Sequence, residues 1–314
     1  MHRAGLLLLG LCVMARGQDT FPQDLSEGVK LIQEGRFRDA LVPLARANAS
    51  RPDAFEPNYL LGLALFQERR GLEAIRHLRA GQNARPGHAG LLTLLGILYL
   101  QEDYPLDAAE ALELAGSQTP LDEKRSLLLA DAWHQCFQFD KAMRSAMDTA
   151  ARFPRSADAK FRAGYELETA GRFDEAQSGF AGAVELRPDF IEARVALARL
   201  DRRFGRYESA RRHLQMALGA NPKHRQARLE MAKLSTARKE NAHARELLEG
   251  LIAENDGDPE LHSLLARVFQ DEGNGAASDR QRERFLQLTR SEQGAGGMSG
   301  TIPSRKTRRF HERN

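Results

Sequence analysis

The sequence is poor in the features that would point to a catalytic or metal-bound protein. Its 314 residues carry two cysteines and one tryptophan. There is no Gly-rich phosphate loop, no His-Glu-x-x-His helix, no Cys-x-x-Cys, no haem attachment sequence and no Gly-x-Ser-x-Gly turn. These absences leave hydrolytic, nucleotide-dependent and zinc chemistry without an anchor in the chain. Neither sign of charge dominates either, with 46 Lys and Arg against 43 Asp and Glu. Whole-surface electrostatics therefore give no argument for nucleic acid. After the first twenty residues the longest apolar stretch is Leu91 to Leu100, half of what a bilayer crossing needs.

Residues 1–17 read as an export signal. A short basic start (Met1, His2, Arg3) precedes the apolar stretch Ala4 to Met14, and Ala15-Arg16-Gly17 supplies small residues for cleavage after Gly17. Leu11 stands where lipid attachment at Cys12 would require a small residue. Removal of the signal leaves Cys136 as the sole cysteine, so no intrachain disulfide can form and burial must hold the fold together. The chain is thus expected to be secreted or periplasmic.

A period of 34 residues dominates what is present. Pro52, Pro86, Pro120, Pro154, Pro188 and Pro222 keep that step, and so do Ala40, Ala74, Ala108, Ala142, Ala176, Ala210 and Ala244. Gly28, Gly62, Gly96, Ala130, Gly164, Ala198, Ala232 and Ala266 form a second small-residue series. Asp256 occupies the next proline place, and Pro259 opens the following helix. The second-series residues fall within a first helix, where only small side chains permit close approach of a neighbour. The alanines, with Leu44, Leu78, Leu112, Phe180, Leu214 and Leu248 four residues later, give a second helix its apolar stripe. Proline then ends the unit.

This combination resembles the tetratricopeptide repeat family, with Gly164-Tyr165, Gly171 to Ala176, Phe180, Ala183 and Pro188 as its best copy. The first-helix aromatic of that family is replaced here by Asn58, Leu92, Ser126, Lys160, Arg194 and Arg228. The resemblance implies an all-α, right-handed superhelical solenoid of stacked antiparallel helix pairs. Seven full repeats are expected to begin near Phe21, Phe55, Ala89, Glu123, Ala157, Ile191 and Arg225. An irregular capping pair follows from Pro259 to Arg290, with the run Ser278 to Arg284 facing water. The domain reading is a signal peptide over 1–17, a solenoid over 18–290 and a disordered basic tail over 291–314. That tail carries five basic residues against two acidic ones.

In this family the first helices line a concave groove. Register places Tyr59, Leu63, Phe66, Ile97, Asp131 and His134 there in the earlier repeats. Phe161, Tyr165, Arg199, Arg202, Arg203, Lys233 and Arg267 follow in the later ones. The first half is apolar. The second carries a ladder of cations at Arg199, Lys233 and Arg267, which favours an acidic segment unless Glu166, Glu168, Asp201, Glu230 and Asp271 neutralise it. His134 and Cys136 lie two residues apart, a spacing that diverges on a helix and disfavours a shared metal ion. Trp133 falls at the core position of its repeat, equivalent to Tyr99. The expected function is a non-enzymatic scaffold, without cofactor or metal, that binds an extended or helical segment of another protein. Envelope assembly or secretion is the setting that the resemblance suggests. The alternative is a polyanion or membrane-surface adaptor using the basic groove and tail. No specific nucleic acid is expected as a partner.

Overall fold

The computed structural model describes residues 19–296 and 309–310, with side chains described to residue 290 and at 309–310. The segment read as an export signal and most of the segment read as a basic tail lie outside the described residues. Among these residues every regular element is a helix, and the helices come in pairs. Clustering of the backbone divides the chain into two bodies, residues 1–98 and 99–314.

The first body holds α1 (Phe21–Gln33), α2 (Phe37–Ser50), α3 (Phe55–Gln67), α4 (Gly71–Ala84) and most of α5 (Ala89–Gln101). The second continues with α6 (Pro105–Gln118), α7 (Glu123–Gln135), α8 (Phe139–Arg152), α9 (Ala157–Thr169) and α10 (Phe173–Leu186). It ends with α11 (Ile191–Arg203), α12 (Tyr207–Ala220), α13 (Arg225–Ala237), α14 (Asn241–Glu254), α15 (Pro259–Asp271) and α16 (Gly275–Gly296). The first helix of each repeat starts at the residue that the 34-residue step predicts. The last helix runs six residues beyond Arg290.

Three local devices recur among the pairs. The first is contact between a small residue and a large one. A methyl group added to Gly62 would meet Leu78 at 2.4 Å, one on Gly28 would meet Leu44 at 2.4 Å, and one on Gly164 would meet Phe180 at 2.8 Å. The two small-residue series thus serve one contact, in which a leucine or phenylalanine of the second helix lies on the backbone of the first. In α9 and α10 two glycines meet, since a Cβ on Gly179 would approach the Cα of Gly164 at 2.9 Å.

The second device is the turn between paired helices. Gly35, Arg69, Asp103, Phe137, Gly171, Gly205, Lys239 and Gly273 all take positive φ, between 59° and 76°. They recur at the repeat step. The amide of Gly35 bonds to Ile32 O at 3.0 Å and that of Arg36 to Leu31 O at 2.8 Å, which caps two helix carbonyls and reverses the chain. Half of these positions are not glycine, so four turns hold a side chain in the left-handed region, where a Cβ is strained.

The third device explains the missing aromatic. Asn58 is buried and its Nδ2 donates to Pro52 O at 2.5 Å, while Arg194 Nε donates to Pro188 O at 2.7 Å. His262 Nε2 lies 3.1 Å from Asp256 O. In each case a polar side chain reaches the carbonyl six residues earlier, at the proline position, and satisfies a loop acceptor that burial would otherwise orphan.

Each body has its own core. In the first, Leu31, Ala40, Leu44 and Leu61 cluster. In the second, one cluster gathers Ala176, Phe180, Leu197 and Leu200, and another Leu248, Leu251, Leu261 and Val268. Ser278 of α16 is also inside, its hydroxyl donating to Ala266 O at 2.8 Å. The run from Ser278 to Arg284 is therefore not wholly on the outside, because its first residue closes the last pair.

Candidate interaction face

First helices of neighbouring repeats touch directly. In the first body α1 meets α3; in the second α7 meets α9, α11 meets α13 and α13 meets α15. Tyr59, Leu63 and Phe66 stand at i, i+4 and i+7 of α3.

In the first body Tyr59, Leu63, Phe66 and Ile97 are half-buried, while Leu61, Leu65 and Leu78 fill the core of the pair. Tyr59 stacks on Phe55 with centroids 5.5 Å apart, and tilts against His88 at 5.1 Å. The ring is fixed by its neighbours, so this face is apolar and preorganised.

In the second body most of the corresponding residues are charged, and most of those meet an opposite charge on a first helix. Asp131 Oδ1 lies 3.1 Å from Arg162 Nη1, and His134 Nδ1 lies 3.0 Å from Glu166 Oε2. Both contacts join α7 to α9. Arg199 grips Glu168 through two hydrogen bonds, of 2.9 and 2.5 Å, joining α9 to α11. Burial works against the charge of Arg199, and the Glu168 carboxylate outweighs it, raising the guanidinium pKa. Arg202 Nη2 reaches Glu230 Oε2 at 3.2 Å, joining α11 to α13. Lys233 Nζ contacts Glu230 at 3.3 Å and Glu260 at 2.8 Å, the latter joining α13 to α15. Of the three cations read as a ladder, Arg199 and Lys233 meet carboxylates of neighbouring first helices, the neutralised alternative for those two. Asp201 lies elsewhere in the scheme, bonding Arg206 at 2.7 Å.

Three of the sequence-derived residues behave differently. Phe161 packs between Phe180 and Phe190 at 5.6 and 5.0 Å, as part of the core. Arg203 lies over the ring of Phe173 at 4.4 Å. Arg267 is exposed, makes no ion pair among the described residues, and lines a cleft of about 290 Å³ with Arg202, Lys233, Glu260 and Leu264. Tyr165 sits 5.2 Å from His134, so that pair forms a half-buried aromatic patch above the buried Glu166. Arg162 and Glu260 were not evident as partners from sequence. Their signal was an opposite charge one repeat away on a first helix, which becomes meaningful only once neighbouring first helices are known to touch.

Trp133 is buried, with Lys141 Nζ 3.9 Å above its ring. Cys136 is buried as well. Its thiol donates to Ala132 O at 2.9 Å, and burial, with Asp107 and Glu110 nearby, pushes its pKa up to about 11. A thiol so protonated is a poor nucleophile.

Residues 167–218 and 202–268 match the tetratricopeptide repeat family. No curated protein matches the chain. Among solved structures, YrrB, described as a TPR protein with an unusual peptide-binding site, is 18% identical. The match covers 59% of this chain and 95% of YrrB at a TM-score of 0.53. A tetratricopeptide repeat protein from Parabacteroides merdae is 14% identical, over 81% of this chain and all of its own length, at a TM-score of 0.53. MamA is 22% identical over 52% of this chain and 95% of its own, at 0.49. The family match over residues 167–268 and the same 34-residue helix pairs before and after it give the chain the fold of the tetratricopeptide repeat proteins.

Proposed function

We propose that the chain is a non-catalytic interaction scaffold that holds an extended or helical segment of another protein on the face of its first helices. The observation that carries this reading is the half-buried apolar set Tyr59, Leu63, Phe66 and Ile97, which stands outside the core that closes its own helix pairs. Such a set is suited to the apolar side chains of a bound segment. The peptide-binding site described for YrrB lends support by fold alone. The pairing of Arg199, Arg202 and Lys233 with carboxylates favours an apolar segment over a polyanion, because cations already matched have little charge left to offer.

A peptide selected from a random displayed library against the full chain tests this. Leu63→Arg with Ile97→Arg, shown by circular dichroism to stay helical, is expected to weaken binding about tenfold or more. Raising salt from about 50 to 500 mM should change affinity little, whereas a polyanion binder would lose orders of magnitude. Equal affinity for wild type and the double variant overturns the reading.

We place this work outside the cytoplasm, in envelope assembly or secretion, on the strength of residues 1–17. No helix among the described residues is long and apolar enough to cross a membrane. The mass of the protein recovered from the exported fraction, expected to begin at Gln18, tests the location.

A further inference from the structure

The turn between α5 and α6 departs from its equivalents in a way that the C-terminus complements. In three other repeats an arginine precedes the second helix and bonds the acidic residue three positions later, forking onto it in two of them. Arg70 bonds Glu73 at 2.8 and 2.6 Å, Arg172 bonds Glu175 at 2.7 and 2.6 Å, and Arg36 bonds Asp39 at 2.8 Å. The third repeat has Tyr104 where those have arginine, and keeps the acid as Asp107. A guanidinium arrives there from almost two hundred residues away. Arg309 forks onto Glu110, at 2.5 and 2.7 Å, and its Nη1 lies 3.6 Å from Asp107. The next amide, of Phe310, donates to Asp107 Oδ2 at 3.0 Å.

The Phe310 ring completes the contact. It stands edge-on to Tyr104 with centroids 5.3 Å apart, and tilts against Tyr99 at 5.9 Å. Tyr99 and Tyr104 are themselves buried and meet at 6.4 Å, so the two phenol rings form a fixed corner for a third. Each part selects a residue type. The paired carboxylate oxygens of Glu110 match the planar guanidinium fork better than a lysine ammonium. The tyrosine corner selects an aromatic ring, and Asp107 fixes the backbone between them.

We propose that the α5–α6 elbow is a docking site for an arginine–aromatic pair, and that Arg309-Phe310 of the same chain occupies it, so that an outside peptide bearing Arg-Phe must displace them. This site shares no residue with the set Tyr59, Leu63, Phe66 and Ile97, and it does not rest on the reading of that set.

The test uses the full chain and a fluorescein-labelled peptide with the sequence of residues 305–314, followed by anisotropy. The variant Arg309→Ala with Phe310→Ala empties the site and is expected to bind the peptide at least about tenfold more tightly than wild type, whose own residues compete. Adding Glu110→Lys, a change at a half-exposed side chain, should abolish that binding. A peptide of equal charge with alanine for phenylalanine should bind weakly. The proposal fails if the emptied chain takes up the peptide no better than wild type, or if the alanine peptide binds as well as the original. Slow hydrogen exchange at the Phe310 amide, independent of protein concentration, is the second expected result. Protection that grows with concentration would put the pair on another copy and overturn the intrachain assignment.

Discussion

His213, on α12, is a half-buried ring whose surroundings disfavour its protonated form. Its Nδ1 has no hydrogen-bond partner among the described residues, and its Nε2 lies 3.9 Å from Asp201, which Arg206 already holds. Burial lowers its pKa from the usual 6.5; Asp201 opposes the shift, and Arg194 and Arg212 add to it. The unfolded chain then takes the proton more readily than the folded one. Stability is complete above pH 6.5 and falls as pH drops through the depressed folded value. The thermal midpoint is expected to be lower at pH 5 than at pH 7.5, and His213→Gln should narrow that drop. An unchanged drop would assign the acid sensitivity elsewhere, for instance to His77, which burial shifts in the same direction. At this scale the sequence revealed the small residues, because their spacing is itself the signal. The left-handed turn series was hidden, since Arg69, Asp103, Phe137 and Lys239 stand where glycine would have marked it. Asn58 and Arg194 looked like losses of an aromatic, and their role became visible only with the loop carbonyls they reach.

Between helices, the charges on the first-helix face hold neighbouring repeats in register. Glu230 is the clearest case. Its carboxylate is almost fully enclosed and meets Arg202 from α11 and Lys233 from its own helix. Replacing it with glutamine leaves Arg202 without its carboxylate and Lys233 with Glu260 alone, and both cations keep partial access to water, which limits the cost. Glu230→Gln should therefore destabilise the protein by about 1–3 kcal/mol in urea denaturation. Asp39→Asn, at a pair with both partners more than half exposed, should change stability by no more than about 0.5 kcal/mol. Equal effects at the two sites would mean that the inter-helix pairs do not hold the repeats together. The helix boundaries were legible in the sequence because proline and the small residues fix them. The pairing was only half legible: the acids stood on the same helices as the cations, but which acid met which cation depended on side chains brought together one repeat apart.

Across the molecule, near-balanced charge and a single repeated contact give a chain whose stability is spread over neighbours. A stack of this kind transmits a local defect mainly to the repeat beside it, because each pair is buried only by the pairs next to it. Ala266 tests this in the last pair. It is buried on α15 and its carbonyl accepts the Ser278 hydroxyl of α16. Ala266→Asp puts a charge into that contact, where desolvation has no compensating partner. Hydrogen exchange should accelerate strongly in α15 and α16, where the defect lies. A smaller effect is expected in α13 and α14, joined to α15 through Lys233 and Glu260 and through the shared cluster of Leu248, Leu251 and Leu261. In α9 and α10 rates should stay near wild type. Uniform acceleration from α9 to α16 would show instead that the second body opens as one cooperative unit, and the picture of coupling from repeat to repeat would have to be abandoned.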